Sequence, residues 1–218
     1  MTGAAPSGPS SVFPFRGPLR ALSLLVAAGV ALALGACGGG APEDSFHRLV
    51  LAAPAPLDRP VLPGTVDVGR PAADGLTADR ALLYSDRDQP DRIRRYGYHL
   101  WTDAPPVLIQ QQLVRFLRAA RAAPAVVTAD LRVLPDYRID GRLHRFEQIV
   151  GPPGTVLVEV ELGAVRMSDG KMVHLADYQA EKTVTTNDPD EAVRAYQQAL
   201  ADIFNRFLGD LARAGEGR

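Results

Sequence analysis

Thr155-Val156-Leu157-Val158-Glu159-Val160-Glu161-Leu162-Gly163-Ala164-Val165-Arg166-Met167 is the clearest strand of the chain. Val156, Val158, Val160, Leu162 and Ala164 fall on one side, with Glu159 and Glu161 on the other. That is the pattern of a strand with one face in a core and one in water. Ser168-Asp169-Gly170-Lys171 follows and contains the Asp-Gly pair of a tight hairpin. Met172 to Thr185 is then the return strand. Upstream, Gly151-Pro152-Pro153-Gly154 is a turn. Before it Tyr137 to Val150 reads as a long, polar strand in which Gly141 marks a bulge. Val126 to Leu134 also alternates, with Val127, Ala129, Leu131 and Val133 on one side.

Two helices flank this block. The spacing predicts one over 103–121, with Asp103 as cap and Pro105 and Pro106 in its first turn. Ile109, Leu113, Phe116, Leu117 and Ala120 make a single apolar stripe. The other runs from 189 to 213, with Asp188 as N-cap, Pro189 at N1 and Glu191 placed for a capping box. Its stripe is Val193, Tyr196, Leu200, Ile203, Phe204, Phe207 and Leu211. Toward the N-terminus, Phe46 to Leu51, Thr65 to Gly69, Ala81 to Leu83-Tyr84 and Arg94 to Leu100 read as strands. Pro54, Pro56, Pro60 and Pro63 make 52–64 an extended loop, and Ser85 to Arg92, with Pro90, is a turn. The fold class is α+β: an antiparallel β-sheet packed on one face by two amphipathic helices, preceded by a lipoprotein signal peptide.

That signal peptide is legible at the start of the chain. Arg16 and Arg20 precede an uncharged apolar run from Ala21 to Leu34. The run is short for a membrane span, which needs roughly 20 residues, and it suits the h-region of an export signal. It exits through Leu34-Gly35-Ala36-Cys37, a lipobox. Small residues let the peptidase approach the backbone, and the cysteine thiolate takes the diacylglycerol. Cys37 is the only cysteine of the 218 residues, so no intramolecular disulfide forms. The plainer alternative is an ordinary signal sequence with a chance cysteine. Gly38, rather than Asp, follows Cys37, which points to sorting to the periplasmic face of the outer membrane. The chain divides into a signal peptide (1–36), a lipidated flexible tether (37–45), an α+β domain (46–214) and a C-terminal tail (215–218).

Composition excludes several classes. A net charge of −1 offers no field for nucleic acid. The four histidines, His47, His99, His144 and His174, show no metal-ligand spacing, so no metal or cofactor is expected. No Gly-x-Ser-x-Gly elbow occurs, and Ser45, Ser85 and Ser168 fall in loops or termini. Glu159 and Glu161 read as a solvated face facing Arg138, Arg142 and Arg145, not as an acid–base pair. No catalytic residue emerges. Trp101, the only tryptophan, with Tyr96 and Tyr98, is the candidate partner contact. For Trp101 a staple packing the start of the first helix is the favoured alternative.

The order of features resembles the ABC-type transport auxiliary lipoprotein family, a group that includes an intermembrane transport lipoprotein. The residues that carry the likeness run along nearly the whole mature chain. A lipobox leads to an aromatic-led first strand (Phe46 to Leu51) and a Pro-rich connection. Tyr96, Trp101 and Pro105-Pro106 then open a helix. Arg145-Phe146-Glu147 stands in a strand before a Gly-rich turn, and Ala192-Val193-x-Ala195-Tyr196-x-x-Ala199-Leu200 lies in the final helix. The first strand departs slightly, since Phe46-His47-Arg48-Leu49 only approximates the Tyr-x-Leu of many members. The resemblance implies a non-enzymatic component working with ABC transporter subunits and a periplasmic MCE-domain protein, and lipid as cargo. Symmetric homo-oligomers would suit such a partner. A scaffold for outer-membrane assembly, without a transport role, is the alternative.

Overall fold

The structure is a computed structural model and describes residues 42–216. The expected signal peptide, Cys37 and most of the tether lie outside the described residues, as do the last two residues of the tail. Ten regular elements follow in order: β1 (Ser45–His47), β2 (Thr65–Val68), β3 (Ala81–Asp86), β4 (Gln89–Trp101), α1 (Pro105–Ala119), β5 (Ala125–Val127), β6 (Tyr137–Val150), β7 (Gly154–Arg166), β8 (Met172–Val184) and α2 (Pro189–Glu216).

β6 is the spine of the sheet. One edge pairs with β7 in antiparallel register along nearly its whole length, and β7 pairs likewise with β8. The other edge is shared. Its first residues take β2 and its last residues take β3, both in parallel. β5 adds to β2 and β1 adds to β4, again in parallel, while β3 and β4 form an antiparallel hairpin. The sheet is therefore mixed, not antiparallel as the sequence suggested. Parallel neighbours need long crossovers, and here α1 and the Pro-rich segment supply them. Nothing in the local alternation records which strands those crossovers bring side by side.

The apolar faces are where the periodicity put them. Val156, Val158, Val160, Leu162 and Ala164 are buried against Tyr196, Leu200, Ile203, Phe204, Phe207 and Leu211 of α2 and the stripe of α1. Phe116 and Phe204 meet edge to face at 5.5 Å and join the two helices. The Pro-rich segment is strapped to the end of α1 by Leu57 N–H to the Ala120 carbonyl and Val61 N–H to the Ala122 carbonyl.

Several boundaries differ from expectation. The strand over Val126 to Leu134 stops at Val127, where its pairing with β2 ends at Asp67; the next carbonyl of β2, that of Val68, accepts from Gln110 Nε2 of α1 instead. A 3-10 turn (Ala129–Leu131) and a left-handed Arg132 (φ 53°) follow, and Leu131, Val133 and Leu134 are exposed. The first strand is confined to Ser45–His47, with Leu49 buried in loop backbone. The turn over Ser85 to Arg92 shrinks to Arg87-Asp88, since β3 runs on to Asp86 and β4 begins at Gln89. Pro90 is tolerated because β1 covers β4 only at His99–Trp101, leaving that edge without a second neighbour. Asp103 does not cap α1; Ala104 holds that place without a side-chain bond. The register shift of β6 lies between Leu143 and Arg145 rather than at Gly141. Gly141 serves a close approach instead: a Cβ there would stand 2.3 Å from the Glu161 carbonyl oxygen.

Candidate partner-binding site

The β3–β4 hairpin carries a wide irregularity. Leu83 pairs with Arg95 but Ala81 pairs with Leu100, so Tyr96 to His99 stand against Leu82 alone. Such bulges re-aim side chains and gather next to functional sites. This one holds Tyr96 and Tyr98, and Trp101 follows it.

The three aromatic side chains go to three environments. Trp101 is 1% exposed, with its ring 5.4 Å from both Phe146 and Tyr196. Its backbone is clamped by Arg80, whose carbonyl accepts the Trp101 N–H at 2.7 Å and whose Nε donates to the Trp101 carbonyl at 3.1 Å. Tyr96 is half-buried against Tyr84 at 4.6 Å, and its hydroxyl donates to Gln148 Oε1 at 2.9 Å. Burial, with Tyr84 next to it, pushes the Tyr96 phenol up to about 12. Tyr98 is 43% exposed. Nearby on β1, Phe46 is also exposed, with the Arg80 guanidinium 5.5 Å from its ring centre.

The structure adds a pair that sequence spacing concealed. β1 runs beside β4 so that His47 stacks on His99, with centroids 5.3 Å apart and planes 16° from parallel. His47 Nε2 lies 3.0 Å from His99 Nδ1, and His47 Nδ1 lies 3.4 Å from Asp190 in the first turn of α2. Burial lowers the His47 pKa below 6.5; Asp190 opposes that shift, the nearby His99 adds to it, and Asp188 opposes it again. The two histidines are far apart in the chain and on different strands, so no local pattern could announce them. A second polar link joins β8 to α2. The Tyr178 hydroxyl donates to Asp210 at 2.6 Å, and His174 Nε2 lies 2.7 Å from that hydroxyl.

The paired glutamates of β7 also find their places. Glu161 is opposite Arg142 and Glu159 opposite Arg145, as the cross-strand reading expected. Yet Arg142 bonds Asp74, Arg145 bonds Glu147, and Arg138 bonds Asp140. Among the described residues no group of three or more His, Cys, Asp or Glu could hold a metal ion. A groove of about 210 Å³ between residues 50–53 and α1, lined by Leu51, Gln112 and Phe116 among others, is small beside ordinary ligand pockets. What the bulge region offers chemically is aromatic contact surface on a rigid, buried support.

The family model described as ABC-type transport auxiliary lipoprotein component matches residues 50–206. No curated protein sequence matches the chain. Among solved structures, a protein from Xanthomonas campestris is similar with a TM-score of 0.70 at 16% identity, covering 79% of this chain and 98% of its own. An uncharacterized protein is similar with a TM-score of 0.60 at 17% identity, over 79% of this chain and 98% of its own. At these identities the likeness is one of fold.

Proposed function

The chain belongs to the ABC-type transport auxiliary lipoprotein component family, and on that premise we propose that it is a lipid-anchored, non-enzymatic adaptor for an ABC transport system. The match over residues 50–206 carries this reading. In it, residues 1–36 are removed and Cys37 is lipidated. The domain then works from the periplasmic face of the outer membrane, with an MCE-domain protein and ABC transporter subunits as partners and lipid as cargo. Two acyl chains already hold a protein stably on a bilayer. Anchoring both partners raises their effective concentration, so the protein contact itself needs only modest affinity. No helix among the described residues is long and apolar enough to cross a membrane.

Tyr98, the exposed member of the trio with Tyr96 and Trp101 on β4, is the proposed contact with that partner. Exposed aromatic rings on a rigid support are the residues that dominate binding energy at interfaces.

The test is mild cross-linking in cells that express a tagged full-length protein, followed by membrane extraction and mass spectrometry. Recovery of an MCE-domain protein with ABC subunits is the expected result. Recovery of outer-membrane assembly proteins, with no transporter component, would replace the adaptor by a scaffold.

A further inference from the structure

The outer face of β7 and β8, turned away from both helices, is divided in two. In one half Glu159 pairs with Gln179, Glu161 with Asp177, and Leu157 with Glu181. By the alternation of the strands, neither β7 nor β8 adds a Lys or Arg to this face; its basic side chains come from β6, where Arg142, Arg145 and Arg138 stand opposite Glu161, Glu159 and Val165, and Arg138 bonds Asp140. The arginines opposite on β6 are turned to Asp74 and Glu147, and only His144 approaches Asp177, at 3.9 Å.

In the other half the face is apolar. Met172 and Leu175 lie over Gly163, where an added Cβ would be 2.9 Å from Leu175 Cδ1 and 3.8 Å from Met172 Sδ. Met167 and Leu134 line a separate recess at the hairpin end, which also holds Asp136 and Arg166. All four are open to solvent: Met167 46%, Met172 50%, Leu175 52% and Leu134 94% exposed. Clustered, exposed apolar side chains mark interaction surfaces, and methionine adapts readily to a partner's shape.

Charge selects the occupant. A second copy of the same face would set carboxylates against carboxylates, and an anionic bilayer surface would be repelled in the same way. Strand addition at the β8 edge is hindered because Arg206 donates to the Gln179 carbonyl and occupies that acceptor. We infer that this face docks a protein surface presenting apolar side chains flanked by Lys and Arg. The inference rests on the reading of the chain as an adaptor and adds the chemistry of a partner. It is independent of which transporter that partner serves.

The test places a photo-cross-linking residue at Leu175 of the full-length lipidated protein in cells, with Gln198 on the exposed side of α2 as control. The expected result is an adduct at Leu175 whose cross-linked partner peptide carries Lys or Arg. It should fall about tenfold in the double variant Glu161→Lys with Asp177→Lys and weaken in raised salt. If that partner is a transporter component, both proposals stand. If it is a basic protein outside any transport system, the docking surface stands and the adaptor reading fails. No adduct, an adduct indifferent to charge reversal, an adduct with a second copy or one with lipid alone would overturn the inference, even if a probe at Tyr98 captured the transporter. Should the double variant fail to fold, Glu161→Gln with Asp177→Asn keeps the test, with a smaller loss expected.

Discussion

Glu191 sits where β8 ends and α2 begins. The sequence places it in a capping box, reaching the N-cap backbone. In the structure it reaches farther back and accepts from the backbone N–H and the hydroxyl of both Thr185 and Thr186. Those hydrogen bonds hold its pKa at about 2, below the ordinary 4.5. A folded pKa below the unfolded one gives stability that is fully present above pH 4.5 and lost as pH falls through about 2. Glu191→Gln should therefore melt below the parent at pH 7, with the gap closing across that acid window in a series of thermal melts. His47 behaves in the same direction at higher pH. Its lowered pKa means that its contribution is present above pH 6.5 and lost as pH falls through the folded value. Titration of its ring protons by NMR should give a midpoint below 6.5; a midpoint above it would mean that Asp190 outweighs burial. The aromatic trio separates by burial. Trp101→Ala should cost about 3–5 kcal/mol of unfolding free energy. Tyr98→Ala should stay within about 0.5 kcal/mol while reducing partner capture.

Among the elements, β6 and β7 show why a strand can be read in sequence while its contacts cannot. The span Tyr137 to Val150 is legible from its residues, and Gly141 within it reads as a bulge. A bulge and a close backbone approach leave the same glycine in the sequence. Only the register, which puts Gly141 opposite Leu162 and next to the Glu161 carbonyl, separates them. Gly141→Ala should cost about 1–3 kcal/mol, read as a lowered urea midpoint, because backbone and not a movable side chain stands in the way. Gly97→Ala makes the contrast. It lies in the β4 bulge with open space around its Cβ position and no positive φ. It should be neutral or stabilising by up to about 1 kcal/mol in the same titration. The helices were more legible than the strands, since each stripe is one local period and both stripes are buried as expected.

For the whole molecule, the decisive residue lies outside the described part. Cys37→Ala should abolish lipid processing and release the protein from membranes in a carbonate wash. A variant that stayed with the membrane would remove the lipobox from the account. β1 enters the sheet with its His47 touching β4 and α2 at once, so the start of the described domain is held by three elements. From its own residues the sequence determined the α+β class, the buried faces of β7, α1 and α2, and the order of features that resembles the family. Each of these is a repeat of side-chain character over a few positions, and such repeats are local. Tertiary structure decided the rest. It made the sheet mixed, ended the strand after Val127 and so exposed Leu134, stacked His47 on His99, and turned Arg142 and Arg145 away from Glu161 and Glu159. Each of these outcomes depends on which distant strand arrives alongside, and the energy that settles it belongs to pairs of residues that no local period records.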